Sequence, residues 1–120
     1  FASPYVGEIN RLATRFLKSH QITTVECADI GRDLGNYGQG ALSPDEVTEL
    51  ACRADHPDAE ALVLSCTDMR SVEVIERIES LTGKPVITSN QAMMFCLMRA
   101  LALPRHNNTP GQLFEALKTP

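Results

Sequence analysis

The stretch Ala61-Leu62-Val63-Leu64-Ser65-Cys66-Thr67-Asp68 decides the fold, because an unbroken apolar run ends there in small and polar residues. A short apolar run of this kind is typical of a central strand that is covered on both faces of a parallel sheet. In parallel sheets, ligands bind at the carboxyl ends of the strands. The stretch therefore predicts a buried strand and also the place where chemistry is to be sought.

Helical and strand-like patterns alternate on both sides of this run. Strands are predicted over residues 1–3, 22–30, 61–64 and 85–88, and helices over residues 4–20, 71–81, 91–103 and 110–117, with a further helix that starts at Ser43. Strands that alternate with helices across short loops form right-handed crossovers and a parallel sheet covered on both faces. We predict one three-layer α/β/α domain over residues 1–120 with a short parallel sheet of about four strands.

The predicted helices carry recognisable faces and ends. In the first helix, apolar residues recur at helical spacing and predict one buried face: Ile9, Leu12, Ala13, Phe16 and Leu17. The helix over 71–81 is expected to turn four residues inward: Val72, Ile75, Ile78 and Leu81. Ser43 with Glu46 predicts a capping box, Gly83 a helix C-terminus, and Ser89 or Asn90 the cap of the last long helix.

The segment 92–98, Ala-Met-Met-Phe-Cys-Leu-Met, is apolar all round. A helix of that composition is buried on more than one side, so it predicts either a core helix or a surface that faces a partner. Methionine is also common at adaptable contact surfaces.

Composition and charge exclude several classes of protein. The net charge is −4 and no run of Lys or Arg is present, which argues against a nucleic-acid surface. No apolar stretch approaches the roughly 20 residues of a membrane span, and no signal-type segment opens the chain. The four cysteines lack metal-site spacing and are expected to be reduced, so we expect no metal and a cytoplasmic protein. Because Phe1 stands first, we expect a fragment of something longer, although a processed terminus would look the same.

Cys66 is the strongest candidate for chemistry. It follows the predicted central strand and precedes a predicted helix start, where free backbone N–H groups gather and favour a thiolate. The N–H groups of Thr67, Asp68 and Met69 could hold a carboxylate or a developing enolate oxygen. The alternative from position alone is that Cys66 is a small residue that fills a strand end.

Two further residues fall at predicted strand ends. Tyr5 could present its phenol to an anionic substrate, or it could be a partly buried aromatic at a helix start. Asn36 lies in the Gly- and Asn-rich loop 31–41 and could contact substrate, or it could be a turn residue.

Several segments resemble one enzyme family. Ser3-Pro4-Tyr5-Val6-Gly7-Glu8-Ile9-Asn10 resembles the segment that opens the second half of maleate isomerases and arylmalonate decarboxylases, within the aspartate/glutamate racemase superfamily. Leu62-Val63-Leu64-Ser65-Cys66 is similar to their second cysteine motif. Thr88-Ser89-Asn90-Gln91-Ala92 and Gly111-Gln112-Leu113-Phe114 resemble a helix start and a terminal motif of the isomerases. The resemblance covers almost the whole chain, but only the second half of such enzymes.

The resemblance implies a cofactor-independent isomerase that acts on maleate or a similar small dicarboxylate. Cys66 would be its acid/base thiol, and Tyr5, Asn36, Thr67 and Asp68 would bind the substrate. It also implies two similar α/β halves with one catalytic cysteine each, so a missing N-terminal half or a partner chain would complete the site. We expect a homo-oligomer, such as a dimer, and no activity from this chain alone.

Two other interpretations stay open. An arylmalonate decarboxylase or an amino-acid racemase of the same superfamily would share the second-half thiol, and the sequence of the first half would separate these activities. From a different class, a non-catalytic module could bind a carboxylate or assemble through the apolar segment 92–98.

Overall fold

The computed structural model describes residues 1–106 and 108–117. In this part of the chain, α-helices and short parallel strands alternate: α1 (Gly7–Ser19), α2 (Pro44–Arg53), β1 (Leu62–Leu64), α3 (Ile75–Thr82), β2 (Val86–Thr88) and α4 (Ser89–Ala100). Three 3₁₀ helices lie between and after them: Gly38–Ala41, Val72–Val74 and Gln112–Ala116. The prediction of an α/β fold with a short parallel sheet is confirmed.

The sheet is built around β1. Its residues pair in parallel with β2, Leu62 opposite Val86 and Leu64 opposite Thr88. On the other side of β1, Ala2 forms parallel bridges both to Leu64 and to Ala28. The order across the sheet is therefore the segment around Ala28, the segment around Ala2, β1 and β2.

The prediction of a regular strand over residues 22–30 is wrong. Only Ala28 pairs with the sheet, through Ser3 N to Ala28 O at 3.2 Å and Ala28 N to Phe1 O at 3.0 Å. Ile22 and Val25 are exposed. The segment lies at the sheet edge, where β-branched residues gain little burial, and strand propensity depends on that burial.

One apolar core holds the fold together. It packs the inner sides of α2 and α3 against the sheet, and its fully buried members include Leu42, Val47, Leu50, Leu62, Leu64, Ile75, Ile78 and Val86. Ser43 caps α2 in the predicted capping box, since its Oγ accepts from Glu46 N and Glu46 Oε2 accepts from Ser43 N. Gly83 ends α3 in the left-handed conformation, as predicted.

The predicted inner faces of α1 and α3 are partly wrong. Leu12 and Phe16 of α1 are 56% and 64% exposed, because no described part of the chain covers that face. Around α3, Ile75 and Ile78 are buried, but Leu81 is 62% exposed and Val72 is 60% exposed. Helical spacing identifies an apolar face without identifying what covers it.

Helix α4 is capped one residue earlier than predicted. Thr88, rather than Ser89 or Asn90, is the N-cap, and its side chain accepts from Gln91 N at 3.1 Å while Gln91 Oε1 accepts from Thr88 N. The core alternative for α4 is wrong, since Met98 is buried but Met93 and Leu97 are half-exposed, and the partner-facing alternative stays a prediction. No helix in residues 1–106 and 108–117 is long and apolar enough to cross a membrane.

The C-terminal segment is tied to the core through Glu79. This buried carboxylate accepts from Val86 N at 2.9 Å, and Gln112 N donates to both of its oxygens at 3.0 and 3.1 Å. Gly111 approaches so closely that a Cβ built on it would lie 2.5 Å from Ile75 Cγ2. These contacts therefore hold the segment 111–114 against α3.

Candidate active site

The turn before α1 is fixed by side chains rather than by regular structure. The Ser3 hydroxyl donates to Asn10 Oδ1 and also accepts from Tyr5 N at 3.2 Å. Asn10 Nδ2 donates to Ala28 O at 3.3 Å, which attaches the turn to the neighbouring segment of the sheet. Ser3 and Asn10 are both buried, so they hold Tyr5 in one place.

Tyr5 reaches from this turn to the end of β1. Its hydroxyl donates to Cys66 Sγ at 3.3 Å. That hydrogen bond is the main reason why the pKa of Tyr5 is raised to about 12, with smaller contributions from burial and from negative charge on Cys66 and Asp68. Tyr5 therefore keeps its proton and acts as a hydrogen-bond donor to the sulfur.

Cys66 lies at the carboxyl end of β1, where Ser65 N donates to Ala2 O at 2.9 Å. Its side chain is only 4% exposed. The next helical turn begins at Val72 and α3 at Ile75, so residues 67–71 separate the thiol from the helix. The helix N-terminus therefore does not directly adjoin the thiol, contrary to the prediction.

The segment after Cys66 presents unused backbone donors. The N–H groups of Thr67 and Asp68 donate to no acceptor within residues 1–106 and 108–117. Thr67 O, by contrast, accepts from Asn90 Nδ2 at 3.0 Å, which ties this segment to the start of α4.

The loop 31–41 folds through its own polar groups. Asp33 Oδ1 accepts from Gly35 N at 2.8 Å, and Gln39 Nε2 donates to Gly35 O at 2.8 Å. Gly35 is left-handed (φ 64°), a conformation that favours glycine. The loop thereby presents Asn36 and Tyr37 outward, Tyr37 being 88% exposed.

A cleft of about 600 Å³ lies between this loop, the turn before α1 and the segment after Cys66. Its lining consists of Pro4, Tyr5, Val6, Ile9, Asp33, Leu34, Gly35, Asn36, Tyr37, Gln39 and Asp68. We call this space the cleft. Its size is in the range of small-molecule sites.

The cleft brings together three of the five residues predicted for the site: Tyr5, Asn36 and Asp68. Cys66 does not line it but contacts Tyr5, which does. Thr67 is exposed and lies outside the lining. Asp68, predicted to act through its backbone, also turns its side chain toward Gly40, where a Cβ would lie 3.1 Å from Asp68 Oδ2.

Sequence reasoning missed three residues that shape the site. Ser3 and Asn10 position Tyr5. Both lie in the segment 3–10 that resembles the family, so the sequence did contain a signal for them. Gln39 is buried and supports the loop, but no pattern in the sequence marked it. Among the described residues, no group of three or more His, Cys, Asp or Glu side chains could hold a metal ion.

The family model described as "Arylmalonate decarboxylase" matches residues 1–114. The maleate isomerase of Alcaligenes faecalis is 22% identical over 117 residues, which are 97% of this chain and 46% of that protein. The arylmalonate decarboxylase of Bordetella bronchiseptica is 25% identical over 121 residues, covering 95% of this chain and 48% of that protein. This chain thus spans about half the length of these relatives.

Solved structures show the same fold. A crystal structure of arylmalonate decarboxylase superposes with a TM-score of 0.83 at 24% identity, over 95% of this chain and 51% of that one. A cysteine-to-serine mutant of the Nocardia farcinica maleate cis–trans isomerase, which carries a covalently bound succinylcysteine intermediate, gives a TM-score of 0.84 at 22% identity, over 93% of this chain and 46% of that one. Since the family model matches nearly the whole chain, this protein belongs to the arylmalonate decarboxylase family.

Proposed function

We propose that this chain is the thiol-bearing part of a cofactor-independent isomerase of the maleate cis–trans isomerase type. In this proposal residues 1–120 are one α/β domain that corresponds to the C-terminal half of a two-half enzyme. The 3.3 Å contact between Tyr5 Oη and Cys66 Sγ carries the proposal, because it places a proton donor on the one buried thiol of the four cysteines.

Cys66 would move a proton at a substrate carbon next to a carboxylate. A cysteine of the other half would attack one carbon of the double bond, forming a C–S bond and passing the electron pair to the neighbouring carbon. Cys66 would protonate that carbon, the former double bond would rotate, and return of the proton with loss of the C–S bond would give the trans product. Two thiols suffice for these steps without a cofactor.

The surroundings of Cys66 would bind and orient the substrate. The N–H groups of Thr67 and Asp68, which no described residue engages, would bind a carboxylate and the charge that develops on it. Tyr5 would donate its hydrogen bond to the Cys66 sulfur while that sulfur is charged between the two proton transfers, and Asn36 would contact the substrate from the opposite wall of the cleft.

A partner would complete the site. The cleft is open, α1 exposes Leu12 and Phe16, and α4 exposes Met93 and Leu97. These apolar faces are consistent with contacts to an N-terminal half or to a second chain in a homo-oligomer. With its cysteines free, the protein would function in a reducing compartment, the cytoplasm.

A decarboxylase of the same family is the second candidate, since the matching family model is described by that activity. A decarboxylase needs one thiol to protonate an enediolate, and Cys66 could do this. A racemase would need a second thiol opposite Cys66. The sequence of the missing half would separate these activities.

Thiol alkylation with and without maleate tests the proposal. Each cysteine is followed by peptide mass spectrometry, and the readout is the ratio of its two rates, because Cys27 and Cys96 react readily through exposure alone. Maleate is expected to slow the alkylation of Cys66 and to leave the other three unchanged. Unchanged rates at Cys66, or equal slowing at Cys52, would contradict the proposal and favour a non-catalytic module.

A further inference from the structure

The loop 31–41 forms one wall of the cleft and carries Asn36, the residue proposed to contact the substrate from that side. Asn36 is exposed, and its side chain forms no hydrogen bond with a residue that the structure describes. An exposed side chain on a loop binds a ligand well only where the backbone beneath it is already fixed, because ordering that backbone on binding costs free energy. The groups that fix this part of the loop therefore determine how well Asn36 can bind.

Gln39 is the buried polar side chain of this loop. It lines the cleft, yet it is only 8% exposed, whereas residues 35–37 are exposed. It belongs to the 3₁₀ helix Gly38–Ala41, which is followed directly by Leu42, a residue of the apolar core. Leu42 N donates to Gln39 O at 3.4 Å, so the backbone that carries the Gln39 side chain is attached to the core.

One hydrogen bond joins Gln39 to the turn that carries Asn36. Gln39 Nε2 donates to Gly35 O at 2.8 Å. This bond is costly to break, because a buried amide that loses its acceptor is left unsatisfied. Gly35 N in turn donates to Asp33 Oδ1 at 2.8 Å, so both polar backbone groups of this left-handed glycine are held by side chains.

We infer that Gln39 is a positioning residue for the substrate: through Gly35 O it holds Asn36 where Asn36 meets the second carboxylate of a small dicarboxylate. The carbonyl of Gly35 and the N–H of Asn36 belong to one planar peptide group, so fixing the first also fixes the second and the Cα of Asn36. The inference rests on the proposed function, which places the first carboxylate at the N–H groups of Thr67 and Asp68.

A carboxylate is a suitable partner for the Asn36 side chain. The amide of asparagine has two N–H donors, and a hydrogen bond to a charged acceptor is stronger than one to a neutral acceptor. Such a bond weakens steeply when donor and acceptor are misaligned, so a loop that lets Asn36 swing loses affinity. Gln39 limits that swing from the buried side of the loop and does not itself need to contact the substrate.

Succinate and propionate test the inference, because they differ only in the second carboxylate. Each is titrated against the alkylation of Cys66 in the 120-residue chain at matched ionic strength. In Gln39→Met, which keeps the length of the side chain and removes the amide, the succinate concentration that gives half-protection should rise about tenfold, and that of propionate should be unchanged. Gln112→Met, the same substitution at an exposed glutamine outside the cleft, should leave both concentrations unchanged.

A double variant decides whether Gln39 acts through Asn36. Asn36→Ala alone should raise the half-protecting succinate concentration about as much as Gln39→Met does, and the two substitutions together should raise it no further, since residues that act through one another are not additive. A roughly hundredfold rise in the double variant would mean that the two residues act independently, and it would overturn the inference.

The outcomes separate the two proposals. Half-protection by succinate that stays unchanged in Gln39→Met, or an equal rise for succinate and propionate, overturns the inference and leaves the proposed function standing. Absence of protection by succinate in the parent chain overturns both. Gln39→Asn keeps a buried amide but ends one methylene short of Gly35 O, so it gives the same comparison where Gln39→Met fails to fold.

Discussion

Tyr5 Oη donates a hydrogen bond to Cys66 Sγ at 3.3 Å, although the two residues lie 61 positions apart. Each residue follows a segment of the parallel sheet, Tyr5 the bridge at Ala2 and Cys66 the strand β1, and those two segments are neighbours. The carboxyl ends of adjacent parallel segments meet at one edge of the sheet, which is where this fold places ligands. The contact is thus a consequence of topology.

Tyr5→Phe is expected to slow the alkylation of Cys66 about three- to tenfold near neutral pH. The variant keeps the ring and removes the hydrogen bond that the phenol donates to the Cys66 sulfur, a bond that stabilises negative charge on the reacting sulfur. Peptide mass spectrometry of timed samples measures the rate. Tyr37→Phe, which alters an exposed tyrosine on the other wall of the cleft, should leave it unchanged; equal effects of the two variants would contradict a specific role of Tyr5.

The same contact predicts a late ionisation of Tyr5. In Tyr37→Phe, Tyr5 is the one remaining tyrosine, and its near-ultraviolet absorbance should titrate with a pKa of about 12, above its ordinary value of 10. Adding Cys66→Ala removes the largest cause of the shift and should lower the midpoint. A midpoint that stays in place without the thiol would show that the hydrogen bond is not its cause.

The sign of the linked stability follows from the raised pKa. Folding favours the protonated phenol, so the contribution of Tyr5 is fully present below pH 10 and is lost as pH rises through about 12. Thermal unfolding between these two pH values should show a steeper loss of stability in the parent chain than in Tyr5→Phe. The opposite order would contradict the direction of the shift.

The exposed face of α1 should contribute little to the stability of this chain. Leu12→Gln keeps helix propensity and alters a side chain that is 56% exposed, so the free energy of unfolding should change by less than about 0.5 kcal/mol. Leu50→Ala, in the core, should cost roughly 2–5 kcal/mol. Urea unfolding compares the two. A large loss in Leu12→Gln would mean that the apolar face is covered in solution, for example by a second copy of the chain.

Local signals explain what the sequence could predict of the fold. The capping box of Ser43 and Glu46 and the left-handed Gly83 depend on a few neighbouring residues, and both were predicted correctly. The edge segment 22–30 depends on distant partners, and within it only Ala28 forms a bridge to the sheet. The inner face of α1 likewise depends on a covering surface that the described chain does not supply.

The candidate site likewise has features that the sequence predicted and features that it did not. The carboxyl-end rule placed Tyr5, Asn36 and Cys66 at strand ends. The structure brings Tyr5 and Asn36 to one cleft together with Asp68, and Cys66 contacts Tyr5. The support of Tyr5 by Ser3 and Asn10 required knowledge of how a turn packs on α1. The contact of Gln39 with Gly35 was not predicted, because it is a matter of side-chain geometry.

Two neighbouring alanine substitutions test which residue caps α4. Thr88→Ala removes the side chain that accepts from Gln91 N and should cost about 1 kcal/mol, or roughly 4 °C in Tm. Ser89→Ala, one residue later, leaves the capping box intact and should change Tm by much less. Thermal unfolding followed by circular dichroism measures both. A larger loss from Ser89→Ala would show that the cap begins where the sequence pattern first indicated.

Replacing Gly111 by alanine should destabilise the fold more than replacing Gly83 by alanine. Gly83 and Gly111 both have positive φ, 69° and 77°, so alanine strains the backbone at either position. At Gly83 a Cβ would meet nothing within 4 Å, and Gly83→Ala should cost about 1–2 kcal/mol. At Gly111 the Cβ would lie 2.5 Å from Ile75 Cγ2 and 3.0 Å from Glu79 Oε1, which adds about 1–3 kcal/mol of overpacking and displaces Gln112 N from the Glu79 carboxylate. The free energy of unfolding, measured in urea, should therefore be clearly lower for Gly111→Ala than for Gly83→Ala. Equal losses would mean that the segment 111–114 detaches from Glu79 at little cost and contributes little to stability.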